Sequence, residues 1–257
     1  MNPTLGLNHA APRLCAVCGG LNLSFLGAKD FGISGGDFFA GRRLYKDYGQ
    51  AVSYHLCESC GFVFSVAFDG WNREDFIRHV YNDDYVIGDP PFLEERPKRN
   101  AAMVAALFWR EKDTLKVLDF GGGRGLFAAE LTGFGFRADS LDAYHEPGAQ
   151  TDTDYDLITS FEVIEHVPHS DQYAWLVQLK SHLKASTEST VLIGTELMDG
   201  NDFSWWFVSP RNGHISIHSR RSFSILCDRV GLNLQSISRS VHLLRINEPP
   251  GRRTPDT

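Results

Sequence analysis

The stretch from Lys116 to Leu131, KVLDFGGGRGLFAAEL, constrains the fold more than any other part of the chain. A short apolar run ends in an acid. Glycine then fills four of five positions (Gly121, Gly122, Gly123 and Gly125), and a segment of helical character follows. A glycine turn between a buried strand and a helix lets the backbone bend sharply and lets a ligand come close to it.

Strand-like and helix-like segments alternate after this point. RADSLDAY and YDLITSFEV read as strands, and SDQYAWLVQLKSHLK as an amphipathic helix with Tyr173, Leu176, Leu179 and Leu183 on one side. STVLIGTEL is another buried strand, and RRSFSILCDRVG a helix stopped by Gly231. LNLQSISR and VHLLRI close the alternation as strands that suit a hairpin. The pattern predicts an α/β fold with a mainly parallel sheet and helices on both faces.

Ligands of such sheets sit outside the carboxyl ends of the strands, where these glycines fall. A P-loop needs Gly-Lys-Ser/Thr after the loop, and GGRGLF has no such lysine. A dinucleotide loop, G-x-G-x-x-G, would end at Leu126 if counted from Gly121, or at Ala128 if counted from Gly123. The second count fits the looser form that accepts alanine, so spacing alone leaves a dinucleotide open. Asp119 weighs more, because a carboxylate there sits poorly beside a pyrophosphate. It suits a cationic ligand such as S-adenosylmethionine, which carries a sulfonium, an ammonium and no phosphate. Asp142 follows Asp119 by 23 residues, near the roughly 20-residue spacing of an acid that holds ribose hydroxyls; alone it reads equally well as a turn residue.

VLDFGGGRG, SLDAY and YDLITSFEVIEHVPH together resemble the class I S-adenosylmethionine-dependent methyltransferases, motif by motif, over about residues 93–246. FEVIEHV looks like the fourth-strand segment of their small-molecule branch. The resemblance implies a Rossmann-like sheet. It also implies that Asp119 and Gly121, Gly122, Gly123 and Gly125 surround the methionine part, Asp142 the ribose, and Phe161 and Glu162 the wall near the donor. Only 13 residues separate Asp142 from Asp156, so the usual third strand and helix are shortened and the adenine-contacting acid is not assigned.

Two Cys-x2-Cys-Gly pairs, Cys15/Cys18 and Cys57/Cys60, precede this region. Four thiolates in two such knuckles suit a closed tetrahedral Zn2+ site with no open position, hence a structural one. Cys227 stands alone on a predicted helix as a core residue. A four-cysteine segment ahead of a methyltransferase core resembles sugar C-methyltransferases and methyltransferases of polysaccharide loci, which implies a sugar or sugar-nucleotide acceptor.

These signals divide the chain into a loose tail (1–13), a zinc-binding segment (14–70), a helical linker (71–92), the methyltransferase domain (93–247) and a second flexible tail (248–257). A net charge of −7 argues against a broad nucleic-acid surface. No apolar run approaches the ~18 residues of a membrane span, and the first residues lack a secretory pattern, so a cytoplasmic location is expected.

The acceptor is expected against DFSWWFVSPRNGHISIHS, beyond the strand ending near Glu196. Its aromatics suit a wall, and Arg211 suits an anion. His214 is the candidate base, while packing is the competing role. His218 follows a β-branched run, which argues against a helical metal pair with His214. His166 suits the site or a helix cap equally, and so does Tyr85 the site or packing; His169 reads as surface. DPPF at Asp89–Phe92 matches a signature of amino methyltransferases of DNA bases, but lies where a Pro-rich turn is expected. The rival functions are an RNA or protein methyltransferase that docks through the zinc segment, and a non-catalytic zinc and ligand-binding module.

Overall fold

The computed structural model describes residues 4–145 and 153–247. The expected C-terminal tail therefore lies outside the described residues. In chain order the elements are β1 (Leu23–Asp30), α1 (Gly35–Ala40), β2 (Ala51–Cys57), β3 (Val63–Phe64), α2 (Arg73–His79), α3 (Tyr85–Gly88) and α4 (Glu95–Leu107). β4 (Lys116–Phe120), α5 (Leu126–Gly133), β5 (Arg137–Leu141), β6 (Leu157–Phe161), α6 (Gln172–Ser181) and β7 (Thr190–Gly194) follow. The chain continues with β8 (Ser216–Ile217), α7 (Arg220–Arg229), β9 (Leu232–Ser236) and β10 (Val241–Ile246).

The larger sheet has the order β5-β4-β6-β7-β10-β9. Its first four strands are parallel, and β10 runs antiparallel to both of its neighbours. The central strands are apolar on both faces, as a doubly covered sheet requires. Successive side chains alternate between the two cores. Val117, Leu157 and Leu192 pack with Ala101 and Val104 of α4 and Phe127 and Leu131 of α5. Leu118, Ile158, Val191 and Ile193 pack on the other face with Leu176 and Leu179 of α6 and Phe223 and Leu226 of α7. Pro97 fits inside α4 because it falls in the first turn, where backbone N–H groups have no helical partner.

The smaller sheet, β1-β2-β3-β8, is antiparallel throughout. Its fourth strand comes from far along the chain, so the cysteine-bearing segment is sewn to the residues that follow β7. Two local expectations change. Tyr173 is 42% exposed; the inner stripe of α6 starts instead at Gln172, whose Nε2 donates to Ile164 O (3.0 Å) and Val167 O (2.7 Å). Residues Gln172, Leu176, Leu179 and Leu183 form the helical repeat that is buried. The expected N-terminal tail is anchored at Leu5, which is 4% exposed. Its N–H donates to Gln50 Oε1 and its carbonyl accepts from Trp71 Nε1.

Candidate functional site

A cleft of about 1040 Å³ opens at the carboxyl ends of β4, β5 and β6. Asp119, the penultimate residue of β4, is 3% exposed and takes a hydrogen bond from Thr159 Oγ1 at 3.2 Å. Burial pushes its carboxyl up to about 7 despite that bond. The loop then turns with Gly121 at φ +86°. A Cβ on Gly122 would collide with Asp119 Oδ2 and Ser140 Oγ, so glycine here is a packing requirement. Gly121, Gly122 and Gly123 line the cleft. Gly125 instead caps the start of α5 in the left-handed conformation.

Asp142, just past β5, closes the loop from the opposite side. One carboxylate oxygen accepts from Gly123 N (2.9 Å), and the other from Tyr144 N (2.8 Å) and His145 N (2.9 Å). Burial pushes this carboxyl up, but the bonds from His145, Gly123 and Tyr144 outweigh it and hold Asp142 below its ordinary value. At the end of β6, Phe161 packs against Phe127 with ring centroids 5.5 Å apart. Glu162 follows with φ +56°, a left-handed conformation that costs a non-glycine residue about 1–3 kcal/mol. Its N–H donates to Gly194 O at 2.8 Å, which ties the turn to β7. Phe161 and Glu162 both line the cleft. Burial, set against the pull of Arg96, raises the Glu162 carboxyl.

The other end of the cleft is aromatic, with Tyr81, Tyr85, Phe92 and Tyr144 among its lining residues. Tyr81 and Tyr144 lie 5.0 Å apart by centroid, and Tyr81 and Tyr85 5.7 Å. DPPF forms a turn, as expected, Pro90–Phe92 being a single 3-10 turn, and it also adds Asp89 and Phe92 to this wall; Arg96 grips both oxygens of Asp89 at 2.7 and 2.8 Å. His214 is 6% exposed and faces the same space. Its Nδ1 is 2.8 Å from Phe207 O. A carbonyl only accepts, so Nδ1 carries the proton and Nε2 keeps a lone pair. Burial pushes this imidazole down to about 4. His166 lines the cleft as well, its ring 5.0 Å from that of His214. Burial, and then His214, push it down to about 3.

Two expectations for this region change, those for Arg211 and His169. Arg211 is a buried strut, donating to Val80 O and Asn82 Oδ1, because the linker supplies bare carbonyls to it. His218 lies in the core, held by Ser222 Oγ and Gln172 Oε1. His169 stacks on Phe64 at 4.6 Å instead of standing in solvent. Cys227 is buried, as expected. Sequence reasoning missed Tyr81, Phe92, Arg96, Tyr144 and Glu165. The aromatic density of the linker was the available signal for the first two.

The four cysteine sulfurs cluster within 4.8 Å of one another, none of them in a disulfide. Sγ of Cys15 lies 3.7 Å from that of Cys60, and Sγ of Cys18 3.5 Å from that of Cys57. Tetrahedral zinc with Zn–S bonds of about 2.3 Å spaces its sulfurs by about 3.8 Å, so these residues could hold the ion. The hydrogen bond from Cys60 holds Cys15 down to about 5. Gly20 N points at Cys18 Sγ from 3.4 Å.

No curated protein matches this sequence. Many solved structures match this chain, among them two that share the fold at a TM-score of 0.50. Mitomycin 7-O-methyltransferase MmcR is 17% identical with a TM-score of 0.50, the match covering 70% of this chain and 62% of that one. The 1,6-didemethyltoxoflavin-N1-methyltransferase of Burkholderia thailandensis is 15% identical with a TM-score of 0.50, covering 68% and 87%. This chain thus spans less than two thirds of the mitomycin enzyme's length. The family described as "Methyltransferase domain" matches residues 92–237, more than half of the sequence and all of the cleft's glycine loop. The chain belongs to this methyltransferase family.

Proposed function

We propose that the protein transfers a methyl group from S-adenosylmethionine to a small-molecule acceptor. The observation that carries this reading is one cleft that holds two unlike halves. One half is the glycine loop with Asp119 and Asp142; the other is an aromatic wall with His166 and His214. At about 1040 Å³ it matches the upper end of small-molecule pockets, roughly 300–1,000 Å³, which leaves room for donor and acceptor together. The toxoflavin relative was solved with its acceptor and S-adenosylhomocysteine both bound.

In this reading Asp119 and Gly121–Gly123 hold the methionine end and Gly125 starts the helix behind it. Asp142 takes the ribose hydroxyls, and Phe161 and Glu162 form the wall beside the methyl carbon. The protein aligns the acceptor atom with that carbon at about 3 Å and keeps water out. His214 is the activating residue, since its Nε2 lone pair is the one left free for the cleft it lines. The ring-lined wall suits a flat or cyclic acceptor. A sugar or sugar nucleotide is the favoured class, on the resemblance of the four-cysteine segment. Cys15, Cys18, Cys57 and Cys60 would hold a structural zinc.

The test is thermal unfolding with S-adenosylhomocysteine, NAD and ATP separately. A ligand at a hundred times its Kd adds about 2.7 kcal/mol, or roughly 5–10 °C for a chain of this size. A shift with S-adenosylhomocysteine alone is expected; a shift with NAD instead would make the loop a dinucleotide site.

A further inference from the structure

Three side chains offer lone pairs to one point at the acceptor end of the cleft. Glu165 and His166 stand in the turn after β6, and His214 comes from the loop ahead of β8; one ligand atom from each lies within 4.8 Å of the others. Two polar atoms here make no hydrogen bond among the described residues, Glu165 Oε1 and His166 Nδ1; the first lies 4.0 Å from His166 Nε2, too far for one. Glu165 is fully buried, and the His166 side chain is 10% exposed. Buried polar atoms of native proteins are nearly always satisfied, and an orphaned pair signals a missing water or ion. A divalent cation would take a lone pair from each of the three side chains and would compensate the charge of the buried carboxylate.

We propose that Glu165, His166 and His214 form a site for a divalent transition-metal cation. Two imidazoles and one carboxylate suit cations of intermediate softness, such as zinc, cobalt or ferrous ion, while calcium prefers oxygen alone. The outer contacts that orient metal ligands are in place. Thr195 Oγ1 donates to Glu165 Oε2 at 3.0 Å, and Phe207 O takes the Nδ1 proton of His214 at 2.8 Å. Ligands about 2.1 Å from a metal stand about 3–3.5 Å apart, so the three groups must draw together by about 1 Å. His166 and His214 line the cleft while Glu165 lies behind them, which leaves the cation's open positions facing the acceptor. The proposal rests on reading this end of the cleft as the acceptor site. It specifies how His214 activates the acceptor, through a bound cation instead of as a direct base.

The experiment adds Co2+ to protein whose cysteine site is first filled with zinc. One equivalent should bind with visible d–d bands and without the near-ultraviolet charge transfer of cobalt–thiolate bonds. The bands should vanish in Glu165→Gln and in His214→Gln, while both variants keep the S-adenosylhomocysteine thermal shift of the unaltered protein. Spin-echo modulation of Cu2+ bound to the unaltered protein counts coordinated imidazoles without any substitution, and two are expected. Absence of bound cobalt, bands that survive both substitutions, or fewer than two imidazoles on copper each overturn the site. Loss of the S-adenosylhomocysteine shift in the unaltered protein would overturn the methyl-transfer reading instead, with the cobalt and copper spectra still deciding the cation site.

Discussion

Asp142 grips the glycine loop through Gly123, whose backbone N–H donates to its carboxylate at 2.9 Å. The same side chain holds Tyr144 N and His145 N with its other oxygen. Asp142→Asn would turn a donor toward one of these N–H groups, and an unsatisfied buried donor costs about 1–3 kcal/mol. The expected result is a lower Tm and a smaller S-adenosylhomocysteine shift. A full shift in the variant would remove Asp142 from the ribose role. The pH dependence has a defined sign. The folded carboxyl titrates below its ordinary value, so its contribution is complete above the unfolded pKa of about 3.9 and is lost as pH falls through the folded one. Asp142→Asn should flatten the acid limb of a stability–pH curve below about pH 4.

Gly122 tests the loop by shape alone. An added methyl would meet Asp119 Oδ2 and Ser140 Oγ, and the buried Asp119 carboxyl is tied to Thr159. Overpacking of this kind costs about 1–3 kcal/mol and displaces the Asp119 carboxylate that is proposed to face the donor. Gly122→Ala should cut S-adenosylhomocysteine affinity at least tenfold by calorimetry. Gly133→Ala is the control: nothing lies within 4 Å of that methyl at the end of α5, and affinity should not change.

Asp119 couples donor binding to pH. Burial raises its carboxyl to about 7, so the folded protein binds a proton that the unfolded chain releases near 4. Its ionisation therefore costs stability as pH rises from about 4 to 7, after which the penalty is constant. A cationic donor stabilises the ionised form, so binding should release a proton below pH 7. Affinity for S-adenosylmethionine should climb from pH 5.5 to about 7 and then level off, by up to tenfold per unit. Asp119→Asn should abolish the slope. A flat profile in the unaltered protein would place the cation away from Asp119.

The parts of this architecture that were legible in the sequence are those where one residue type answers one local demand. Buried parallel strands need unbroken apolar runs, and KVLDF, YDLITSF and STVLIG supply them. The loop needs glycine at Gly122, and the four cysteines announce themselves by spacing. The aromatic end of the cleft was legible only in part, because it is assembled from distant pieces. Tyr81 and Tyr85 come from the linker, Tyr144 from the turn after β5, and His214 from beyond β7. Arg96 and Asp89 acquire meaning only once the linker folds over the strand ends, and Glu165 hides inside a motif read for its strand. Arg211 misled for the converse reason. A buried arginine capping loop carbonyls and an arginine awaiting an anion look alike in sequence.

The cysteine segment and the methyltransferase sheet should unfold as one unit. Cys15, Cys57 and Cys60 share a core with Leu118, Phe223 and Leu226. Arg229, at the end of α7, donates to the carbonyls of Ala16 and Val17, both at 2.7 Å, and Ser219 Oγ donates to Cys60 O at 2.6 Å. Helix α7 thus caps the first knuckle at one end and the second at the other. A structural zinc is worth on the order of 10 kcal/mol, similar to the whole stability of a typical domain. If the proposed zinc is bound, its removal by a strong chelator, or Cys57→Ser, should therefore lower Tm more than any substitution above. Loss of the S-adenosylhomocysteine shift should accompany it, in one calorimetric transition. Arg229→Ala should act in the same direction by a smaller amount, since it frees two carbonyls but leaves the sulfurs in place. Two separate transitions, or a donor site that survives chelation, would mean that the knuckles fold on their own and that α7 merely rests against them.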